Sequence, residues 1–515
     1  MALGIFVALL FLSLFSAPSP VTSFQTVPPH IKKWCGETPN PEPCEFFFSQ
    51  KPNCESVKDK ASFKKMAMQI ALDRTVRAEG ITKGLNITFR NKKEKVAWDD
   101  CVELYEDTLH KLNKTIDQDG KCSHDDSQTW LSAALTNLAT CWTGFEELGV
   151  ADHILPMMKN NNVSKLICNT LEINKAPPAK PTYTGGFPDW VNPGDRKLLQ
   201  AAAPKANLVV AKDGSGNFRT VKQAFDAAAK RKGTGRFVIY VKAGVYSENV
   251  VAGSKVKNVM LVGDGIGKTI LTGSKSVGGG STTFASATFS ITGGGFIARG
   301  VTFRNTAGAA NHQAVAMRSG SDLSVFYRCS FEGYQDTLYA HSQRQFYKEC
   351  NVYGTVDFIF GNSAVVLQNC NIYCRKPIKG QQCTITAQGR MDKNQNTGIS
   401  IHNSQLLATS DLGATPSYLG RPWKQYSRTV YMQTFMGRHI NPAGWLPWNG
   451  NFALSTLYYG EYRNTGPGSS TARRVKWGGY RVITNPAEAS RFTVGSFLAG
   501  RSWLPGTGVP FTSGL

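Results

Sequence analysis

Two aspartates recur at a shared offset: Asp336 follows Cys329 by seven residues, and Asp357 follows Cys350 by seven. Carboxylates placed in this way become neighbours if the chain repeats its path with that period. Adjacent carboxylates do not ionise independently, so one keeps its proton to higher pH. Identical side chains can then act as one nucleophile or base and one acid. Glutamines stand close by. Gln335 precedes Asp336, and Gln313 lies 23 residues before Asp336, about one repeat upstream. Their amides are neutral donors suited to a developing oxyanion.

A repeating element has to position this pair. From about residue 207 the chain runs in short β-branched and aromatic stretches broken by Gly and Asn, after one helical patch at Val221 to Lys232. Three segments align: Phe326-Tyr-Arg-Cys329, Tyr347-Lys-Glu-Cys350 and Leu367-Gln-Asn-Cys370, with Cys-to-Cys spacings of 21 and 20. That period with short strands predicts a parallel β-helix, one coil per repeat, although evenly spaced strands also suit a sandwich. In a β-helix, equivalent positions stack at about 4.8 Å, which sets Asp336 against Asp357. The same stacking places Cys329 beside Cys350, within the ~4.4–6.8 Å Cα range of a disulfide, so a bridge is expected there.

The first 200 residues have another character. Cys101, Leu104, Tyr105, Thr108, Leu109 and Leu112 form a helical stripe, and Leu131, Ala134, Leu135, Leu138 and Trp142 repeat it. Helices from about 55 to 171 joined by short polar segments predict an antiparallel bundle. Cys35 and Cys44 fall in what reads as an irregular N-terminal stretch, and seven cysteines in this half allow many pairings. Residues 175–200 hold five prolines and no periodicity, which predicts a linker. It ends in Arg196-Lys197-Leu198-Leu199, a basic site open to a processing protease.

Leu3 to Phe15 is an uncharged apolar run of 13 residues, too short for a membrane span of about 20 and suited to a signal peptide cut after Ser23. Twelve cysteines and sequons at Asn86, Asn113 and Asn162 fit an oxidising secretory route. The chain of 515 residues carries a formal charge of +22. Residues 1–200 hold 23 basic and 23 acidic side chains, leaving 35 basic and 13 acidic for residues 201–515. A module this basic suits a polyanion, and secretion turns the choice from nucleic acid to an extracellular acidic polymer.

The motifs then become recognisable. Gln313-Ala-Val-Ala-Met, Gly333-Tyr-Gln-Asp-Thr-Leu-Tyr and Gly354-Thr-Val-Asp-Phe-Ile-Phe-Gly, with Leu419-Gly-Arg-Pro-Trp423 and Gly244-Val-Tyr-Ser-Glu248, resemble the motifs of plant pectin methylesterases. The N-terminal half is similar to the pectin methylesterase/invertase inhibitor family. The resemblance implies a right-handed parallel β-helix catalytic domain over 201–515, preceded by an all-α four-helix-bundle domain over 24–174. It implies Cys35–Cys44 and Cys101–Cys141 disulfides. It assigns the nucleophile to Asp357, the acid/base to Asp336, the oxyanion donors to Gln313 and Gln335, and the orienting cation to Arg421. Thr283, Trp423, Tyr339, Phe360 and Trp445 fall on sugar-contacting positions. The implied substrate is methyl-esterified homogalacturonan, hydrolysed to pectate and methanol in the cell wall. No cofactor is implied. The implied partners are an inhibitor protein and a processing protease, with the chain a monomer, free of nucleic acid and of membrane once the signal is cut.

Met317 stands where the family has Leu, and Ser404 where relatives have Cys, which leaves Cys370, Cys374 and Cys383 without assigned partners. Other motifs fail. Val262-Gly-Asp-Gly-Ile-Gly267-Lys-Thr lacks the first glycine of a P-loop, no Gly-x-Ser-x-Gly elbow occurs, and the eight histidines show no zinc spacing. A pectin-cleaving β-helix enzyme would also use paired carboxylates, but it leaves Gln313, Gln335 and Arg421 without roles. A binding or inhibitory protein would leave the whole set idle.

Overall fold

The computed structural model describes residues 26–85, 89–116, 122–175 and 205–515. The expected signal segment, the linker with Arg196–Leu199 and the Asn86 sequon lie outside them. Asn113 is exposed and Asn162 half-buried.

Prolines set where the helices begin. Pro29 opens α1 (Pro29–Gly36) and Pro41 opens α2 (Pro41–Ser49), each in the first turn, where the missing N–H costs nothing. The stretch expected to be irregular is therefore a helical hairpin, and its cysteines form the Cys35–Cys44 disulfide. Next come α3 (Lys60–Gly84), α4 (Lys92–Ile116), α5 (His124–Glu147), α6 (Leu155–Lys159) and α7 (Val163–Ile173). Capping boxes at Asp59/Ser62 and Ser123/Asp126 fix the starts of α3 and α5. Helices α3, α4, α5 and α7 pack as a bundle. Leu104, Tyr105, Leu131, Leu135 and Leu138 share its core, and Cys101–Cys141 ties α4 to α5.

The second half is a parallel β-helix of three sheets with eleven, eight and seven strands. One coil runs Ser324–Tyr327, Ser330–Glu332 and Leu338–Ala340, and the next Arg344–Lys348, Asn351–Gly354 and Ile359–Gly361. Leu338 pairs with Ile359 and Ser330 with Asn351, so the register is 21 residues here. The next coil pairs Arg344 with Ala364, a shift of 20. Aromatic rings fill the interior; Phe326 stacks on Tyr347 at 4.6 Å and Phe303 on Phe331 at 5.7 Å. Helix α8 (Val221–Ala229) packs Phe225 into the first coils, 5.1 Å from Phe289. The Glu248 carboxylate of the Gly244–Glu248 motif accepts from the Val221 and Lys222 N–H groups at 2.8 Å each, countering the helix dipole.

One expectation is overturned. Cys329 and Cys350 do stack, yet both are buried free thiols, as is Cys370. In-register parallel neighbours hold their Cβ atoms near the ~4.8 Å strand spacing, wider than the ~3.5–4.5 Å a disulfide requires. The thiols bond to the backbone instead; Cys350 Sγ donates to the Phe326 carbonyl at 3.3 Å. Ser404 continues the column, since Asn371 pairs with Gln405. Its hydroxyl accepts from the Cys370 N–H at 3.1 Å and donates to the His402 carbonyl at 3.0 Å.

Candidate active site

Asp336 and Asp357 each end a turn two residues before a strand of the seven-stranded sheet, and the Leu338–Ile359 pairing sets one above the other. Both have positive φ, 62° and 52°, which aims the side chains out of the coil. Such a backbone is uncommon outside glycine and marks a turn held by its surroundings. Both are nonetheless nearly closed off, 7% and 5% exposed.

Asp357 is the better anchored. Arg421 Nε lies 2.9 Å from Oδ1 and Nη2 lies 2.8 Å from Oδ2, a forked pair that fixes the carboxylate plane. Thr384 Oγ1 donates to Oδ1 at 2.7 Å while accepting the Asp357 N–H at 2.8 Å, so side chain and backbone are clamped together. Among the described residues Asp336 has no such cation in contact. Burial, then the charges of Asp357 and Glu147, push its carboxyl well above the usual range, with Arg421 pulling the other way. The pair is therefore split: Asp336 keeps a proton beside an anchored carboxylate.

Both aspartates line a cavity of about 320 Å³ with Gln313, Gln335, Thr283, Tyr339, Phe360, Arg421 and Trp423. Gln335 Oε1 is buried without a hydrogen-bond partner among the described residues. The aromatic residues form one wall: Tyr339 stacks on Phe360 at 4.1 Å, and Trp423 meets Phe360 edge-on at 5.9 Å. Trp445 does not join them. It is 1% exposed, stacks on Tyr459 at 4.0 Å and donates to Glu461 at 3.2 Å, so it is a core residue. Trp448 takes the place expected for it, lining the cavity with its ring 4.4 Å from the Arg421 guanidinium.

The roof of the cavity comes from the helical half. Thr140, Thr143, Gly144, Glu146 and Glu147 of α5 line it. Thr136 accepts from Asn362 at 2.9 Å, Thr140 meets His341 at 2.9 Å, and Glu147 accepts from the Thr283 N–H at 2.9 Å. On α4, Asp100 accepts from Thr282. Burial pushes the Asp100 carboxyl up to about 7, and burial also raises Glu147. Sequence reasoning passed over this face. Its signal is a second stripe of small polar residues on α5 (Thr129, Ser132, Thr136, Thr140, Thr143) at helical spacing, opposite the apolar one. Thr384 and Lys424, on no quoted motif or at the edge of one, were passed over too.

Among the described residues no His, Cys, Asp and Glu group could hold a metal ion, and no helix is long and apolar enough to cross a membrane.

Comparison with known proteins follows the same division. The pectinesterase family matches residues 207–501, and the plant invertase/pectin methylesterase inhibitor family matches residues 29–173. Pectinesterase 2 of Citrus sinensis is 62% identical over 96% of this chain and 96% of its own length. Probable pectinesterase/pectinesterase inhibitor 17 of Arabidopsis thaliana is 62% identical over 94% of each. Among solved structures, the pectin methylesterase from carrot is 60% identical with a TM-score of 0.59, covering 60% of this chain and 98% of its own. The Aspergillus niger pectin methylesterase is 29% identical with a TM-score of 0.51, covering 59% and 96%.

Proposed function

The chain belongs to the pectinesterase family, with an inhibitor-family domain ahead of the catalytic module, and on that premise we propose how it de-esterifies pectin. Asp357 attacks the methyl-ester carbonyl of a galacturonate residue. The oxyanion is received by the Gln313 and Gln335 amides. As the tetrahedral intermediate collapses, the Asp336 proton goes to the methoxy oxygen and methanol leaves, with the galacturonyl group joined to Asp357 as an anhydride. Asp336, now a carboxylate, takes a proton from water; the resulting attack frees galacturonate and Asp357, and Asp336 is protonated again. Thr283, Trp423, Tyr339 and Phe360 form the wall for the sugar rings.

The observation that carries this reading is the division of the carboxylate pair: Asp357 forked by Arg421 and clamped by Thr384, Asp336 buried and proton-bearing beside it. A glycosidase would use two carboxyls but not the two amides. Methylated pectin incubated with residues 205–515 tests the choice: methanol should appear with chain length unchanged, and chain shortening without methanol would overturn it.

The helical domain acts as a restraint until it is removed. Glu147 sits in the cleft on the Thr283 N–H, and Thr140 covers the Tyr339 and His341 side. In this reading the protein is secreted to the cell wall by its apolar leader and cut near Arg196–Leu199, and the freed catalytic module works there as a monomer on homogalacturonan. A separate inhibitor protein of the same family would use the face that α5 uses here.

A further inference from the structure

A second cavity, of about 310 Å³, lies between the two domains on another face of the junction, sharing no residue with the catalytic cleft. That size is at the lower end of ordinary small-molecule sites. The last turns of α4 supply His110, Lys111 and Lys114, and the β-helix turns supply Lys257 and Gln343.

The charges in it are unevenly matched. Lys111 pairs with Asp107 at 2.9 Å, and the Arg344 guanidinium takes both Asp126 and Asp322, at 2.7 and 2.8 Å. Lys114 and Lys257 have no carboxylate within ion-pair distance among the described residues; Lys114 instead lies 5.2 Å over the Trp130 ring. Burial and then the neighbouring lysines hold the His110 ring down to about 4; burial and then Lys111 lower Lys114, with Asp322 pulling the other way. Lys114 and Lys257 are thus two ammonium groups at one opening that no ion pair engages, and an anion placed between them would be attracted by both.

Gln343 narrows the choice of anion. It is 2% exposed, lines the cavity, and leaves Oε1 without a hydrogen-bond donor, while its Nε2 donates to the Gly320 carbonyl at 2.6 Å. A buried unfilled acceptor calls for a hydroxyl. Inorganic phosphate carries its charge and hydroxyl on one centre, whereas a sugar acid spreads a carboxylate and several hydroxyls over a ring.

We propose that this inter-domain cavity is a binding site for a uronate residue of a de-esterified oligosaccharide, its carboxylate between Lys114 and Lys257 and a hydroxyl on Gln343. The choice of a uronate rests on the pectin reading above; the cavity and its charges do not. Because the site is built from both domains, a ligand there binds only the docked arrangement and stabilises it by mass action. Product would thereby hold the helical domain over the cleft.

The test is calorimetric titration of the intact full-length chain with trigalacturonate, at fixed ionic strength. One saturable site is expected, weakened at least about tenfold in Lys114→Gln/Lys257→Gln, as for loss of two charged hydrogen bonds. Lys257 is exposed, so Lys257→Gln alone tests the site should the double variant fold poorly. Undiminished binding in these variants would place the ligand elsewhere, the cleft included, and overturn the proposal. Equal affinity for inorganic phosphate would reduce the site to a plain anion site and overturn the uronate assignment. Methanol release by the same preparation after cutting within residues 176–204 is read separately. Activity without binding sinks this inference alone; binding without activity sinks the esterase reading and leaves the cavity.

Discussion

Asp357 is fixed by two side chains, and only one of them was visible beforehand. Arg421 lies in a motif; Thr384 does not, because it reaches the site only through the coil that stacks after Asp357. Thr384→Val keeps the shape and removes the hydroxyl, and should lower kcat about tenfold with KM unchanged, as for loss of one charge-assisted hydrogen bond. A fall in KM-dependent binding instead would make Thr384 a substrate contact. Trp445 was misplaced at the sugar wall for a similar reason: Trp448, three residues on, was not considered, and the packing of Trp445 on Tyr459 shows that its ring is internal. Trp445→Phe loses the donor to Glu461 and should cost about 1–3 kcal/mol of stability, seen as a lower Tm, while KM stays the same.

At the scale of elements, the period of the coils was readable because three successive repeats carry Cys at one inward position, Cys329, Cys350 and Cys370. What that period could not settle was bonding between rungs. Stacking was foreseen for Cys329 and Cys350, and they do stack, but as free thiols. Helix α5 shows the reverse problem. Its apolar stripe was plain, but its second face is made of Ser and Thr, residues that read as a solvated surface until a partner is present. Gly144 lies on that face, and a Cβ there would sit 3.2 Å from Thr282 Cγ2. Gly144→Leu should therefore loosen the docking, raising methanol release by the uncut chain while leaving the separate catalytic module unaffected; an unchanged uncut chain would count against α5 as the restraint.

The same face should respond to pH. Burial raises Asp100 to about 7 and raises Glu147, so the docked state binds protons that the undocked state has released. Docking is then fully supported below the ordinary carboxylate range near ~4 and loses that support as pH climbs through about 7. Activity of the uncut chain relative to the separate module should rise between about pH 5 and about pH 7.5, and Asp100→Asn should flatten the rise. A ratio independent of pH in the unmodified protein would contradict this.

Across the whole molecule, the formal charge of +22 resides in one half, and that half carries the acid-producing site. Each ester cleaved leaves a carboxylate on the polymer, so the module faces a surface that grows more anionic as it works. Its retention on de-esterified pectin should weaken as salt rises, since exposed charges are screened within about 8–10 Å near physiological ionic strength; retention unaffected by salt would oppose this role. The division into two domains was legible from charge and composition. Their docking was not, because the face of α5 that meets the β-helix reads as solvated Ser and Thr, and the β-helix residues that join the bundle's buried cluster, such as Phe284, Tyr339 and Phe360, are scattered over several coils.

In the proposed reaction Asp357 forms a covalent bond with the galacturonyl group. Methanol release from methylated pectin by residues 205–515, with hydroxylamine present and Asp357→Ala alongside, tests it most directly. Galacturonyl hydroxamate should form with the unaltered module in excess of that formed beside Asp357→Ala, and methanol release should fall at least about a thousandfold in the variant. Methanol released by Asp357→Ala at an undiminished rate would contradict it.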